Sequence, residues 1–104
     1  MEGMELICFQ IIAASGGAKS AFIAAIDAAK NGDFEEAATQ MQNGEDFMNQ
    51  GHEPHAKLIQ NEANGDHTPI SLLLLHAEDQ MMGAEQFKML AEEIIDVYKA
   101  MQNK

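Results

Sequence analysis

Strong turn signals fall at only two places in this chain, and they divide it into three stretches of about 30 residues each. The first signal is Lys30-Asn31-Gly32-Asp33. Gly32 can adopt the left-handed backbone that ends a helix. Asp33 can cap the next helix, and Glu36 three residues on completes a capping box. The second signal is Asn64-Gly65-Asp66-His67-Thr68-Pro69. Gly65 ends a helix, Thr68 caps a new one, and Pro69 takes the first helical position, where its missing N–H costs nothing.

The stretches themselves are rich in Ala, Met, Leu, Ile, Glu, Gln and Lys, which are mostly good helix formers, and none alternates with period two. The expectation is an all-α chain, one domain over residues 1–104, with helices near 3–31, 33–64 and 69–103. Short connections make consecutive helices antiparallel, giving an antiparallel three-helix bundle. Two interior features disturb this pattern. Gly16-Gly17 loosens or bends the first helix, and Pro54 kinks or breaks the second.

Seventeen acidic residues against six basic ones give a formal charge of -11. Such a surface repels nucleic acid and anionic membranes, and suits a basic protein partner or a cation. The N-terminal residues lack the basic start of a signal peptide, and no apolar run is read as reaching the roughly 20 residues that span a bilayer. The expectation is a cytoplasmic protein without membrane insertion.

The third stretch carries most of the information. Leu72, Leu75, Asp79, Met82, Gln86 and Met89 are spaced 3, 4, 3, 4, 3, a heptad seam. Beside it runs Leu73, His76, Gln80, Gly83, Phe87, Leu90, Ile94 and Val97. Together the two seams predict an apolar face wide enough for more than one neighbouring helix. Glu78, Glu85, Glu92 and Lys99 recur every seven residues on the far side, which reads as solvated.

Polar residues inside the seams need a reason. Asp79 has two readings. It reaches water at the edge of the stripe, or it is buried with a partner, because an unpaired buried carboxylate is costly. In a symmetric oligomer, copies of Asp79 would meet on the axis around one oxygen-loving divalent cation such as Mg²⁺. A lone histidine such as His76 reads first as a core or edge residue. However, it shares a helical face with Asp79, and a neutral imidazole is a workable nucleophile. His52, His55 and His67 are the other histidines. Pro54 spoils the spacing of the first two, and no supporting cysteine pair points to zinc. His67 reads as solvated, and Cys8, among Leu6, Ile7, Phe9, Ile11 and Ile12, as a buried small hydrophobe.

Three segments then carry a resemblance. Gly17-Ala18-Lys19-Ser20, Ala29-Lys30-Asn31-Gly32-Asp33-Phe34-Glu35-Glu36-Ala37 and, most specifically, Pro69-Ile70-Ser71-Leu72-Leu73-Leu74-Leu75-His76-Ala77-Glu78-Asp79-Gln80-Met81-Met82 resemble the enzyme IIA component of the lactose/cellobiose (diacetylchitobiose) class of the bacterial phosphoenolpyruvate-dependent sugar phosphotransferase system. The resemblance implies a homotrimer of three-helix chains with a coiled-coil-like core. It implies that His76 accepts a phosphoryl group from phosphorylated HPr, through Nε2, and passes it to a cysteine of the cognate enzyme IIB. It also implies one Mg²⁺ per trimer, held on the symmetry axis by copies of Asp79. The sugar, a β-glucoside disaccharide such as cellobiose, lactose or diacetylchitobiose, is bound by the membrane component.

The chain departs from the family pattern at Lys19, in place of Arg, at Glu78, in place of Gln, at Gln80, in place of a second His, and at Pro54, which that pattern does not lead one to expect in the second helix. Glu78 is expected to place negative charge beside the phosphoacceptor and disfavour its phosphorylated state. Competing readings are a helical oligomeric interaction module without chemistry, a diverged paralogue, and a metal-storage or metal-sensing bundle.

Overall fold

The computed structural model describes residues 3–103 and contains three long helices: α1 (Gly3–Lys30), α2 (Phe34–Ala63) and α3 (Leu72–Gln102). No strand occurs among the described residues. Both interhelical turns are closed by a left-handed glycine, Gly32 at φ +79° and Gly65 at φ +93°. After α1, the Asp33 N–H donates to the Ala28 carbonyl at 2.9 Å and the Gly32 N–H to the Ala29 carbonyl at 3.0 Å. After α2, Asp66 and Gly65 make the same pair of bonds to Asn61 and Glu62, at 2.9 and 3.1 Å. These are two Schellman motifs, which satisfy carbonyls that a helix end otherwise leaves open.

The caps differ in part from the sequence expectation. Asp33 does cap α2, accepting from the Glu36 N–H at 3.0 Å. The reciprocal half of the capping box is missing, because the Asp33 N–H is already spent on Ala28 and Glu36 accepts from Gln40 instead. At α3 the cap is Ser71, not Thr68. Ser71 is extended, at φ -143° and ψ 163°, and its hydroxyl accepts from the Leu74 N–H at 3.1 Å. Thr68 is drawn to the preceding helix, where its N–H donates to Glu62 at 2.9 Å, so the helix starts three residues later than Pro69 suggested. That bond and His67 hold the Glu62 carboxyl below its usual range.

Three core layers fix the arrangement. Cys8 and Ile11 of α1 meet Leu58 of α2 and Ala77 and Met81 of α3. Ala18 and Phe22 meet Met48, Ala84 and Ala91. Ala25 and Ala29 meet Ala37 and Ile95. Thus α2 runs antiparallel to both neighbours, and α1 lies between them, touching each more extensively than they touch one another. Nine of the sixteen buried hydrophobic residues described are alanines, so the helices approach closely but bury few large side chains.

Glycines serve that close approach. A side chain at Gly44 would overlap the ring of Phe22, and one at Gly17 would overlap Phe47. Gly17 is therefore a packing position, and α1 continues through it. Pro54 does not break α2 either. Anchors stand on both sides of it: Gly51 lies against Ala14, where a Cβ would sit 3.2 Å away, and Leu58 is in the core. These contacts offset the one hydrogen bond that proline removes.

One expectation about hydropathy is corrected. By length and composition α1 is apolar enough to cross a membrane, with a mean hydropathy of 1.5 over its most apolar window. Its alanines and glycines, with Lys19, break up any run of large apolar residues. In this fold, one face of the helix supplies the centre of the core.

Candidate functional site

α3 presents two apolar stripes, and the fold uses the smaller-grained one internally. Ala77, Met81, Ala84, Ala91 and Ile95 pack inward. The seam predicted from the sequence, Leu72, Leu75, Asp79, Met82, Gln86 and Met89, is exposed at every position. Leu72 is 83 % exposed, and Leu75, Met82 and Met89 are 56 %, 55 % and 61 % exposed. The second seam divides. Leu73, Gln80, Gly83 and Phe87 are half-buried, whereas His76, Leu90, Ile94 and Val97 are exposed. Small residues win the internal contact because they let two helices approach, which leaves the leucines and methionines facing outward. An uncovered apolar stripe of this length marks an interaction surface.

His76 and Asp79 both stand on that uncovered face. At about 100° per residue they lie roughly 60° apart around α3, one turn along the axis. Each is exposed, and neither makes a hydrogen bond or ion pair with another described residue. The hollows flanking Phe47 between α1 and α2 include neither residue. Asp79 shares its side of the helix with Leu72, Leu75, Met82 and Val97, so its carboxylate projects from the middle of apolar surface.

Glu78 does not lie beside His76. Two residues along the helix is about 160° around it. There Glu78 accepts a hydrogen bond from His55 Nε2 of α2 at 2.6 Å, with the histidine side chain only 15 % exposed. One heptad further, Glu85 accepts from His52 Nε2 at 3.0 Å. Lys88 then donates to Glu45 at 2.9 Å, a bond that raises the lysine above its usual range. The predicted far side of α3 is therefore its polar edge with α2. Glu92 lies 3.9 Å from Lys88, and the Lys99 ammonium sits 5.9 Å from the centroid of the Phe34 ring. Because α2 continues through Pro54, His52 and His55 keep helical spacing after all and reach two different acids.

Gln80 is held from α1. Its side-chain oxygen accepts from Lys19 Nζ at 3.1 Å, a contact between residues 61 apart in sequence. Sequence reading did not find this pair. The available signal was that Lys19 is the only charged residue between Glu5 and Asp27. His67 is exposed, 3.3 Å from Glu62. Cys8 is buried, and burial together with the charge of Glu78 pushes its thiol up, away from the thiolate form.

Within one chain, no three His, Cys, Asp or Glu side chains among the described residues converge to hold a metal ion.

Comparison with known proteins agrees with the three-helix fold. The family described as PTS system, lactose/cellobiose specific IIA subunit, matches residues 6–99. The chain is similar to the lichenan-specific phosphotransferase enzyme IIA component of Bacillus subtilis, at 44% identity over 94% of this chain and 89% of the relative. Among solved structures it is similar to the PTS cellobiose-specific enzyme IIA from Bacillus anthracis. That match has a TM-score of 0.96 and 42% identity, covering 100% of this chain and 95% of the other. It is also similar to the IIA(chitobiose) chain solved in complex with HPr, from the N,N'-diacetylchitobiose branch of the Escherichia coli phosphotransferase system. There the TM-score is 0.84, with 30% identity over 98% of this chain and 99% of the other.

Proposed function

The chain belongs to the lactose/cellobiose-specific IIA family of the phosphotransferase system, and from that premise we propose that it is a cytoplasmic phosphocarrier in which His76 accepts the phosphoryl group. The observation that carries this reading is the His76 ring itself, exposed on the uncovered face of α3 with no bond to another described residue. A free ring nitrogen on an apolar surface is what a donor and an acceptor protein can each reach in turn.

The donor is phosphorylated HPr, a choice supported by the HPr complex solved for the chitobiose relative. The lone pair of a His76 ring nitrogen, Nε2 by family resemblance, forms the new N–P bond as the donor's N–P bond breaks. The released electron pair returns to the donor ring. Unloading follows the same logic: a cysteine thiolate of enzyme IIB attacks phosphorus, and the electron pair of the broken N–P bond returns to His76. Transfer through a loose transition state demands positioning and charge stabilisation above all. Leu73, Phe87 and Leu90, which share the second seam with His76 beside the Asp79 stripe, supply apolar contact for two different partners. The sugar served is a β-glucoside disaccharide of the cellobiose, lactose or diacetylchitobiose kind, phosphorylated as the membrane component imports it.

The same face supports a homotrimer. An alanine-based core leaves the largest apolar stripe of α3 uncovered, and three copies packed about an axis through that stripe would bury it in a coiled-coil-like centre. Asp79 would then meet its two copies, and its unpaired carboxylate fits a ligand role for one Mg²⁺ on the axis. The cation would neutralise three converging acids, and it has no part in the transfer itself.

Incubation with enzyme I, HPr and phosphoenolpyruvate tests the proposal. One acid-labile phosphoryl group per chain is expected, and none with His76→Ala. Undiminished uptake by the variant would rule out His76 as acceptor.

A further inference from the structure

α1 carries one charged residue, Lys19, between Glu5 and Asp27. A cation there gives up apolar packing on the central helix of the bundle. Its side chain crosses to α3, where Nζ donates to Gln80 Oε1 at 3.1 Å. The end of the side chain lies over Gly83. A Cβ at that position would stand 3.3 Å from Nζ and 3.6 Å from Cε, so glycine keeps the space open. Gln80 follows His76 by four residues and Gly83 by seven. At about 100° per residue, all three fall within roughly 60° of one another around α3.

The charge of Lys19 is uncompensated. Among the described residues no carboxylate pairs with it, although Lys30 and Lys88 each lie beside one. The amide oxygen of Gln80 satisfies one N–H without neutralising the ammonium. A full positive charge is thus held on the His76 side of α3, in a chain whose net charge is -11.

Resting on the phosphocarrier reading, we infer that Lys19 supplies the counter-charge for the phosphoryl group on His76, with Gln80 as the positioning residue that holds it in waiting. A phosphoryl group adds about two negative charges, and its oxygens accept more strongly than a neutral amide. The acidic protein opposes that added charge. The flexible four-carbon stem lets the ammonium turn from Gln80 toward the phosphoryl oxygens, and Gly83 leaves its path clear.

The test compares Lys19→Met, which keeps the apolar stem, and Lys19→Arg, which keeps the charge, with the wild-type chain in phosphoryl exchange with phospho-HPr. At low salt, Lys19→Met should lower the equilibrium yield constant of phospho-His76 by roughly threefold to tenfold, the scale of one charge-assisted contact. The deficit should shrink as salt rises, and Lys19→Arg should restore the yield. The thermal midpoint should be unchanged in both variants. A lower midpoint with an unchanged equilibrium would make Lys19 merely a tie between α1 and α3, and would overturn the inference. A wild-type yield from Lys19→Met at every salt concentration overturns it too, while the phosphocarrier reading stands. A wild-type chain that takes up no phosphate overturns both.

Discussion

Glu78 accepts a hydrogen bond from His55 Nε2 at 2.6 Å, and this contact turns the acid toward α2 and away from His76, two residues earlier on the same helix. Closeness in sequence suggested that this carboxylate crowds His76. The helix instead puts the two side chains on nearly opposite sides.

Glu78→Gln should therefore leave phosphoryl uptake within about twofold of the wild-type value, since no charge facing His76 is removed. Its effect should be on stability, about 1 kcal/mol, through the weakened bond to His55. Equilibrium phosphorylation and urea unfolding measure the two separately. A several-fold rise in phosphorylation would return Glu78 to the neighbourhood of His76.

Gly44→Ala should destabilise the chain even though alanine is the better helix former. The propensity gain is about 1 kcal/mol, and forcing a methyl into a packed site costs about 1–3 kcal/mol. Phe22 is fully buried, and its ring is the group that a Cβ at Gly44 would overlap. A net loss of up to about 2 kcal/mol is expected by denaturant titration. A stabilised variant would mean that the α1–α2 contact is looser than the ring placement indicates.

Ser71→Ala should cost about 1 kcal/mol by removing the hydroxyl that accepts from Leu74, the ordinary value of a helix N-cap. Thr68→Ala should change stability by less than about half that amount, because only the Thr68 backbone N–H is engaged. Equal losses from the two would favour a helix beginning at Pro69.

The sequence made three helices and both turns legible because Gly32 and Gly65 hold the left-handed positions that helix ends require. The start of α3 was misread for a local reason. Thr68-Pro69 and Ser71 are both acceptable beginnings, and the bond from Thr68 to Glu62 decides between them. The heptad seam through Asp79 was also legible, but its partner was not. Periodicity marks a stripe without saying whether the same chain covers it, and the alanines that do the internal packing weigh little in such a pattern. Contacts such as Lys19 with Gln80 join residues 61 apart, and only the fold brings them together.

Asp79→Leu should abolish binding of Mg²⁺ while the trimer persists or tightens, because leucine can pack where three carboxylates would repel. Sedimentation with and without a chelator reads the assembly, and metal titration of the wild type reads the site. A monomer with undiminished Mg²⁺ affinity would contradict an axial position for Asp79.

The most direct measurement is peptide mapping of the chain after charging by phospho-HPr, under alkaline conditions that preserve phosphohistidine. One phosphoryl group on the peptide containing His76, absent from His76→Ala, is the expected result. A phosphoryl group on His52, His55 or His67, or none anywhere in a folded chain, would contradict it.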